Sequence, residues 1–401
     1  MLAPSVKLGE VVNLIGGGTP SKSNESFYDG DIPWATVRDM KQEQLFETEL
    51  QISEEAVRRS STNIIEAGNV ITATRVGLGK VCVVQQDTAI NQDLKALIPK
   101  DNRLEKRYLF WWLKSVAHRI EAAGTGATVK GVKIPFIKAL EIPLPSIPEQ
   151  KRIVTTLDQA FADIDKACAL TEQNLKNAHE LFDSYLQQVF SQRGEGWTEA
   201  ELFDLVNFID YRGKTPTKTE SGLRLITAKN VRMGYLKDDP MEFVAPESYE
   251  GWMTRGIPRK GDVLFTTEAP LANVAQLDTD EMVVFAQRII TMQPDRARLD
   301  DSFLKYLLMS GPVQRRIHEK GTGATATGIK ASLLKKIAIE FPDNLEEQSE
   351  IVERLDGLDV WVKSLEEIYN RKMEYLDELK KSLLQKAFTG ELTNNKQDAA
   401  A

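Results

Sequence analysis

Two short glycine-rich runs are the first residues in this chain that could do chemistry. Gly124-Thr125-Gly126-Ala127-Thr128 recurs as Gly321-Thr322-Gly323-Ala324-Thr325, an offset of 197 residues. Loops of this kind can turn backbone N–H groups towards a phosphate. Lys130 and Lys133 follow the first run, and Lys330 follows the second. The same runs also serve as tight connections between a helix and the next strand. A second group of side chains has the amide or guanidinium donors that bidentate contacts to base edges use. Arg75, set among Thr72, Thr74, Gly77 and Gly79, sits at a strand-to-loop exit and could reach a guanine edge. Arg38 in the first half stands where Lys229, Asn230 and Arg232 stand in the second, and Asn91-Gln92 aligns with Gln287-Arg288. Taken singly, each is equally an ordinary solvated residue. With Thr125 and Thr322 from the loops, these are the candidate nucleic-acid contacts. Trp34, Trp111, Trp112 and Trp252 read as core rather than as stacking platforms.

Several chemistries are missing. No Gly-x-x-x-x-Gly-Lys-Ser/Thr occurs, and the run Gly16-Gly17-Gly18-Thr19-Pro20-Ser21-Lys22 fails that spacing. There is no Gly-x-Gly-x-x-Gly fingerprint, no Asn/Asp-Pro-Pro-aromatic signature of base methylation and no acidic cluster ending in Glu-x-Lys. His118, His179 and His318 lack the spacing of a metal site or a triad. Cys82 and Cys168 form no Cys-x-x-Cys pair, which argues against a zinc site or a disulfide framework. The chain is not expected to be an enzyme by itself.

The elements that must position the candidates come in two copies. Beyond the glycine loops, Lys133, Ile137, Leu140, Ile142 and Pro145 match Lys330, Leu334, Ile337, Ile339 and Pro342. At an offset of 198, Glu149-Gln150, Ile153-Val154 and Leu157-Asp158 match Glu347-Gln348, Ile351-Val352 and Leu355-Asp356. Between these anchors the halves diverge, which suggests one domain type adapted to two targets. Strands are expected over 66–74 and 81–84, and helices over 107–122 and 301–319, the latter kinked at Gly311-Pro312.

After Pro148 the chain runs to Gln192 without Gly or Pro. Spacings of three and four select Val154, Leu157, Phe161, Ile164, Cys168, Thr171, Leu175, Ala178, Phe182, Tyr185 and Val189. The second stripe reads Ile351, Leu355, Leu358, Val362, Leu365, Tyr369, Lys372, Leu376, Leu379 and Leu383, with Lys372 interrupting it. Each stripe is the available cover for the other, so the two helices are expected to pair antiparallel and hold two globular blocks apart. Two separate helical hairpins are the blander alternative. The expected fold is α+β: two similar mixed α/β domains at 1–147 and 193–343, long helices at 148–192 and 344–390, and a flexible tail at 391–401.

Composition permits this. The 401 residues exceed a single core's usual size, 42% are hydrophobic and 27% charged. No apolar run approaches the length of a membrane span, and the N-terminus lacks a secretory layout, so a cytoplasmic protein is expected. The net charge of −8 lies wholly in the helical stretches: 148–192 carry 4 basic against 7 acidic residues and 344–401 carry 8 against 13. The two larger blocks carry 18 against 17 and 21 against 22. Neutral blocks can present a basic face without advertising it.

Ile142-Pro143-Leu144-Pro145-Ser146-Ile147-Pro148-Glu149-Gln150-Lys151-Arg152-Ile153-Val154 resembles the domain–helix boundary of type I restriction-modification specificity subunits. Leu383-Leu384-Gln385-Lys386-Ala387-Phe388-Thr389-Gly390-Glu391-Leu392 resembles the end of their second helix. The resemblance implies a non-catalytic subunit whose two target-recognition domains each read half of a bipartite site in double-stranded DNA, with the helices setting the gap. It also implies that the helices, around Val154, Leu157, Phe161, Ile351, Leu355 and Leu365, dock two methyltransferase subunits. Restriction subunits with motor and nuclease activity would join them. S-adenosylmethionine, ATP and Mg would belong to those partners. Two other readings stay open: the recognition subunit of a type IIB-like system, whose partner is one large polypeptide, and a coiled-coil scaffold for proteins.

Overall fold

The computed structural model describes residues 3–126, 129–192, 194, 196–211, 215–286, 288–323 and 327–394. The chain divides into two compact units, one of Met1–Thr171 with Asn370–Ala401, the other of Glu172–Tyr369. Each unit therefore contains a piece of both long helices, Ile147–Ser191 and Leu345–Thr389.

The units repeat one plan. In the first, a five-stranded sheet runs in the order Val12–Gly16, Leu94–Pro99, Val70–Ala73, Val81–Val84, Gln44–Leu45. A four-stranded sheet runs Leu50–Ile52, Ile32–Ala35, Thr88–Ile90, Asn63–Ile65. In the second unit the first sheet runs Val206–Asp210, Ile289–Pro294, Val263–Thr267, Leu271–Gln276, without the short edge strand. Its second sheet runs Lys218–Thr219, Glu242–Val244, Leu223–Ile226, Val283–Phe285. In both units the strand at the end of the domain pairs back with the one at its start: Ser5–Lys7 with Glu141–Pro143, and Trp197–Glu201 with Ala338–Pro342.

Val70–Ala73 and Val81–Val84 are buried at every residue, which is why they read as unbroken apolar runs rather than alternating ones. The first is shorter than the 66–74 expected, because Gly68 at φ +79° turns the chain just ahead of it. The helix expected over 107–122 is two, Lys106–Ser115 and Ala117–Ala122. Its counterpart is Asp301–Met309 followed by Gly311–Glu319, where Pro312 has no N–H to lose in a first turn.

The Glu-Gln repeat at the start of each long helix has a structural task. Gln150 is fully buried; its Oε1 accepts from the N–H of Glu105 at 2.9 Å, and its Nε2 donates to the carbonyls of Arg103 and Pro145. Gln348, also fully buried, does the same with Asp300 N–H at 2.8 Å and the carbonyls of Arg298 and Pro342. Each glutamine ties the first turn of a long helix to the N-terminus of the domain's main helix, whose free donors need partners. Farther along, Asp158 accepts from Arg107 and Trp111, and Asp356 from Tyr306.

The long helices pair antiparallel within each unit. In the first, Lys380 bonds Asp165 and lies over the Phe161 ring. In the second, His179 Nε2 is 2.7 Å from Glu366. Leu157, Phe161 and Ile164 are buried as their spacing predicts, as are Leu355 and Val362, but at the start of the first stripe Ile153 is buried and the selected Val154 only half-buried. The second stripe passes through half-buried Met373 rather than exposed Lys372, and Leu379 is exposed. A further helix, Glu391–Asn394, occupies the start of the expected tail. Among the described residues, no helix is long and apolar enough to cross a membrane.

Candidate nucleic-acid interface

A cleft of about 550 Å³ in the first unit gathers side chains that lie far apart in sequence. Thr19, Lys22, Trp34, Arg38, Asp39, Val76, Asn91, Gln92 and Asp93 all line it. One wall depends on the glycine run that resembled, but failed, a phosphate loop. A Cβ at Gly17 would lie 2.0 Å from the carbonyl oxygen of Ile90, so only glycine lets the strand pass that close. The Gly18 carbonyl accepts from Trp34 Nε1 at 3.2 Å and from Thr62 Oγ1 at 2.7 Å. This contact brings Thr19 to Gln92, whose Oε1 accepts its hydroxyl.

Arg38 is carried by a turn that Asp39 closes. The Asp39 carboxylate accepts from Thr36 N at 2.7 Å, Thr36 Oγ1 at 2.8 Å and Glu49 N at 2.8 Å. The second unit builds the same turn with an amide: Asn230 Oδ1 accepts from Thr227 N at 3.0 Å and Thr227 Oγ1 at 3.1 Å. Asn230 Nδ2 donates to the carbonyls of Lys237 and Pro240, so this residue is buried and satisfied. Arg38 and Lys229 thus hold one position in the two units. Both are exposed, and neither makes an ion pair among the described residues. Arg232 is half-buried and bonds the Val231 carbonyl.

Asn91 is nearly buried. Its Nδ2 donates to Asp93 Oδ2 at 3.2 Å while its Oδ1 accepts from Asp93 N, so it orients that carboxylate. Asp93 in turn stands 3.6 Å from Arg75 Nη1. Beside them, burial pulls the Lys95 ammonium below its ordinary pKa; Asp93 opposes that shift and Arg75 adds to it.

Backbone bonds place the two units in register. Thr74 N donates to Asp93 O at 2.8 Å and Val132 N to Thr74 O at 2.9 Å; Thr267 N donates to Arg288 O and Ile329 N to Thr267 O, both at 2.9 Å. Arg288 therefore matches Asp93. Asn91, whose N donates to Ala35 O, matches Ala286, whose N donates to Ile226 O. The sequence alignment of Asn91-Gln92 with Gln287-Arg288 is thus one residue out of step, since amide-rich loops carry no periodicity to fix their register. Gln287 itself lies outside the described residues.

The glycine loops brace this arrangement. Thr125 exchanges backbone bonds with Gly131, and Thr322 with Gly328. Gly131 and Gly328 also bridge to Arg75 and Glu268. The N–H groups of Gly124 and Thr125, and of Gly321 and Thr322, are engaged within the chain, so these four present no donors to a phosphate. Lys130, Lys133 and Lys330 are exposed, and the last two stand just before short helices.

The docking residues expected on the long helices fall differently. Leu157, Phe161 and Leu355 lie in the chain's own cores, and Val154 and Ile351 pack partly buried against the same cores. These five hold the helices to the domains, because side chains already covered have little surface left for a partner. Leu365 is half-buried.

Comparison with known proteins extends over the repeat. The family model of the type I restriction modification DNA specificity domain matches residues 4–177 and again 194–371. The EcoR124I/EcoR124II type I restriction enzyme specificity subunit of Escherichia coli is 38% identical over 159 residues, 38% of this chain. That match spans only 39% of the relative's length. The MjaVIII specificity subunit of Methanocaldococcus jannaschii is 22% identical over 404 residues, 96% of this chain and 92% of that one. Among solved structures, one of the type I R-M system superposes with a TM-score of 0.78 at 20% identity, covering 97% of this chain and 98% of that one. The HsdS subunit from Thermoanaerobacter tengcongensis gives 0.62 at 18% identity, covering 97% of each. At such identities the likeness is one of fold. Each of the two matched segments holds one copy of the braced turn, the glycine loop and the buried glutamine, and on this the chain belongs to the type I restriction modification DNA specificity domain family.

Proposed function

We propose that this chain is the sequence-reading, non-catalytic specificity subunit of a type I restriction-modification assembly, each domain recognising one half of a bipartite duplex DNA site. One observation carries the reading: the cross-strand bonds around Thr74 and Thr267 recur in both units, yet the frame they build presents different charged side chains at the same places. Arg38 stands against Lys229, and the Arg75–Asp93 pair against Glu268–Arg288. A frame that served only stability would have no use for this contrast on its exposed face. Two readers of different half-sites need it, since direct readout depends on which donors and acceptors meet each base edge.

In this reading the acidic long helices serve two methyltransferase subunits, and through them restriction subunits. S-adenosylmethionine, ATP and Mg enter with those partners, and the assembly works in the cytoplasm. The nearly neutral recognition domains then rely on partners for part of the phosphate neutralisation. Mapping methylated adenines in cells that carry this subunit and its methyltransferase tests the proposal. A two-part motif with a fixed spacer is expected; a continuous or palindromic motif would overturn it.

A further inference from the structure

Arg75 forms an ion pair with Asp93, which lines the cleft of the first unit, and at the matching positions of the second unit stand Glu268 and Arg288, with the charges exchanged. The equivalence rests on backbone geometry, not on sequence alignment: Thr74 and Thr267 each donate across to the partner strand exit, and Arg75 and Glu268 each bridge to the glycine that closes the neighbouring loop. The residue after each is also alike. Val76 and Ala269 both adopt φ +47°, a conformation that costs a side-chain-bearing residue and that a β-branched valine adopts rarely. The same positive φ is therefore kept at this one residue under two different sequences.

Both arginines are about half exposed, at 53% and 50% of their side chains. Ion pairs so open contribute little to stability, and a carboxylate facing DNA repels phosphate. What a carboxylate can do there is fix one edge of a guanidinium and leave the remaining donors aimed outward. Asp93 is suited to this, because Asn91 orients it and only 17% of its side chain is exposed.

We infer that Arg75 and Arg288 each read one guanine, through O6 and N7, in the half-site of their own domain, with Asp93 and Glu268 as positioning residues that set the angle of the guanidinium. The inference rests on the DNA-reading function proposed above. In the first domain the guanidinium comes from the strand exit after Ala73; in the second it comes from the residue before the Ile289–Pro294 strand.

The test is selection from a randomised duplex library by the full chain assembled with its methyltransferase subunits, followed by sequencing of the retained DNA. R75A and D93N are expected to relax the same single position of one half-site by roughly ten- to a hundredfold. R288A and E268Q should relax a single position of the other. D93E, which keeps the charge, should recover part of the discrimination. The melting temperature of each variant chain, read without DNA, is the check on folding, and it should be unchanged for D93N and E268Q because both pairs are open to water. The inference is overturned if the members of one couple relax different positions, if D93N and E268Q leave the selected motif unchanged, or if the arginine variants weaken all sequences equally. If the unaltered assembly selects no motif at all, it is the proposed function that fails, before any couple is tested.

Discussion

Arg288 Nε lies 3.0 Å from Glu268 Oε1, on a part of the second unit where both side chains are substantially exposed. A pair so open to water contributes about 0–1 kcal/mol. E268Q and R288Q should therefore each change the unfolding free energy by less than about 1 kcal/mol in denaturant titrations. A larger loss would mean that the pair holds the fold together.

The buried glutamines should behave in the opposite way. Replacing Gln150 by Leu leaves the Glu105 N–H and the carbonyls of Arg103 and Pro145 without their partner. The expected cost is about 2–4 kcal/mol, confined to the unit that contains the residue. Gln348→Leu should act likewise on the other unit, through Asp300, Arg298 and Pro342. Hydrogen exchange on the intact chain resolves the two, and a loss below about 1 kcal/mol would count against the clamp.

Gly17 tests the cleft wall. Gly17→Ala forces a Cβ against the Ile90 and Asn91 carbonyls, 2.0 and 2.3 Å away, with no flexible side chain to give way. Sequence selection should be lost or blurred in one half-site and kept in the other. Equal loss in both would show that the wall does not act locally.

Lys305 offers a test of charge burial. Only 10% of its side chain is exposed; its Nζ lies 3.6 Å from Asp356 and over the Tyr306 ring. Burial lowers its pKa, with Lys363 acting the same way and Asp356 and Asp359 opposing. The folded state thus holds fewer protons than the unfolded one between that lowered value and the ordinary one near 10.4. Lys305 should therefore contribute a rise in stability with pH across this window, set against the fall that the buried Cys82 thiol contributes above its ordinary value. Lys305→Met should remove that contribution and leave stability at neutral pH unchanged or higher by up to about 2 kcal/mol, since the cost of burying the ammonium goes with it and Asp356, half exposed, keeps its bond from Tyr306. A marked fall in melting temperature would sink the argument.

The two cysteines should differ. Burial, with Asp39 adding to it, pushes the Cys82 thiol up to about 12, whereas Cys168 is half-buried on a helix. At pH 8 a thiol of that pKa is thiolate in roughly one molecule in ten thousand. A thiol reagent should modify Cys168 in the native protein and Cys82 only after unfolding. Prompt reaction at Cys82 would show that its strand opens readily.

Periodicity carried the long helices and the break at Gly311-Pro312 because those features depend on local spacing. The buried glutamines were visible as a duplicated Glu-Gln but not as clamps, since their partners at the start of the domain helix lie 45 to 50 residues away. Asp93 gave no signal at all: a lone aspartate gains its meaning from Arg75, 3.6 Å away in space and distant in sequence. Spacing marked Leu157, Phe161 and Leu355 as a face that must be covered and the resemblance made them a partner surface, whereas the domains' own cores cover them. Gly16-Gly17-Gly18 looked like failed chemistry and is a close crossing of backbone over backbone. The absence of any larger side chain there was the signal.

The first unit is closed by residues that follow the second domain in sequence: Ala387 is buried in its core and Phe388 packs on Tyr108 with ring centroids 5.3 Å apart. During synthesis, then, the first recognition domain waits for a stretch translated after the second to leave the ribosome before its hydrophobic interior can shut. A nonsense codon shortly before Leu383 would spare the second domain's sequence yet leave the first one open to proteases.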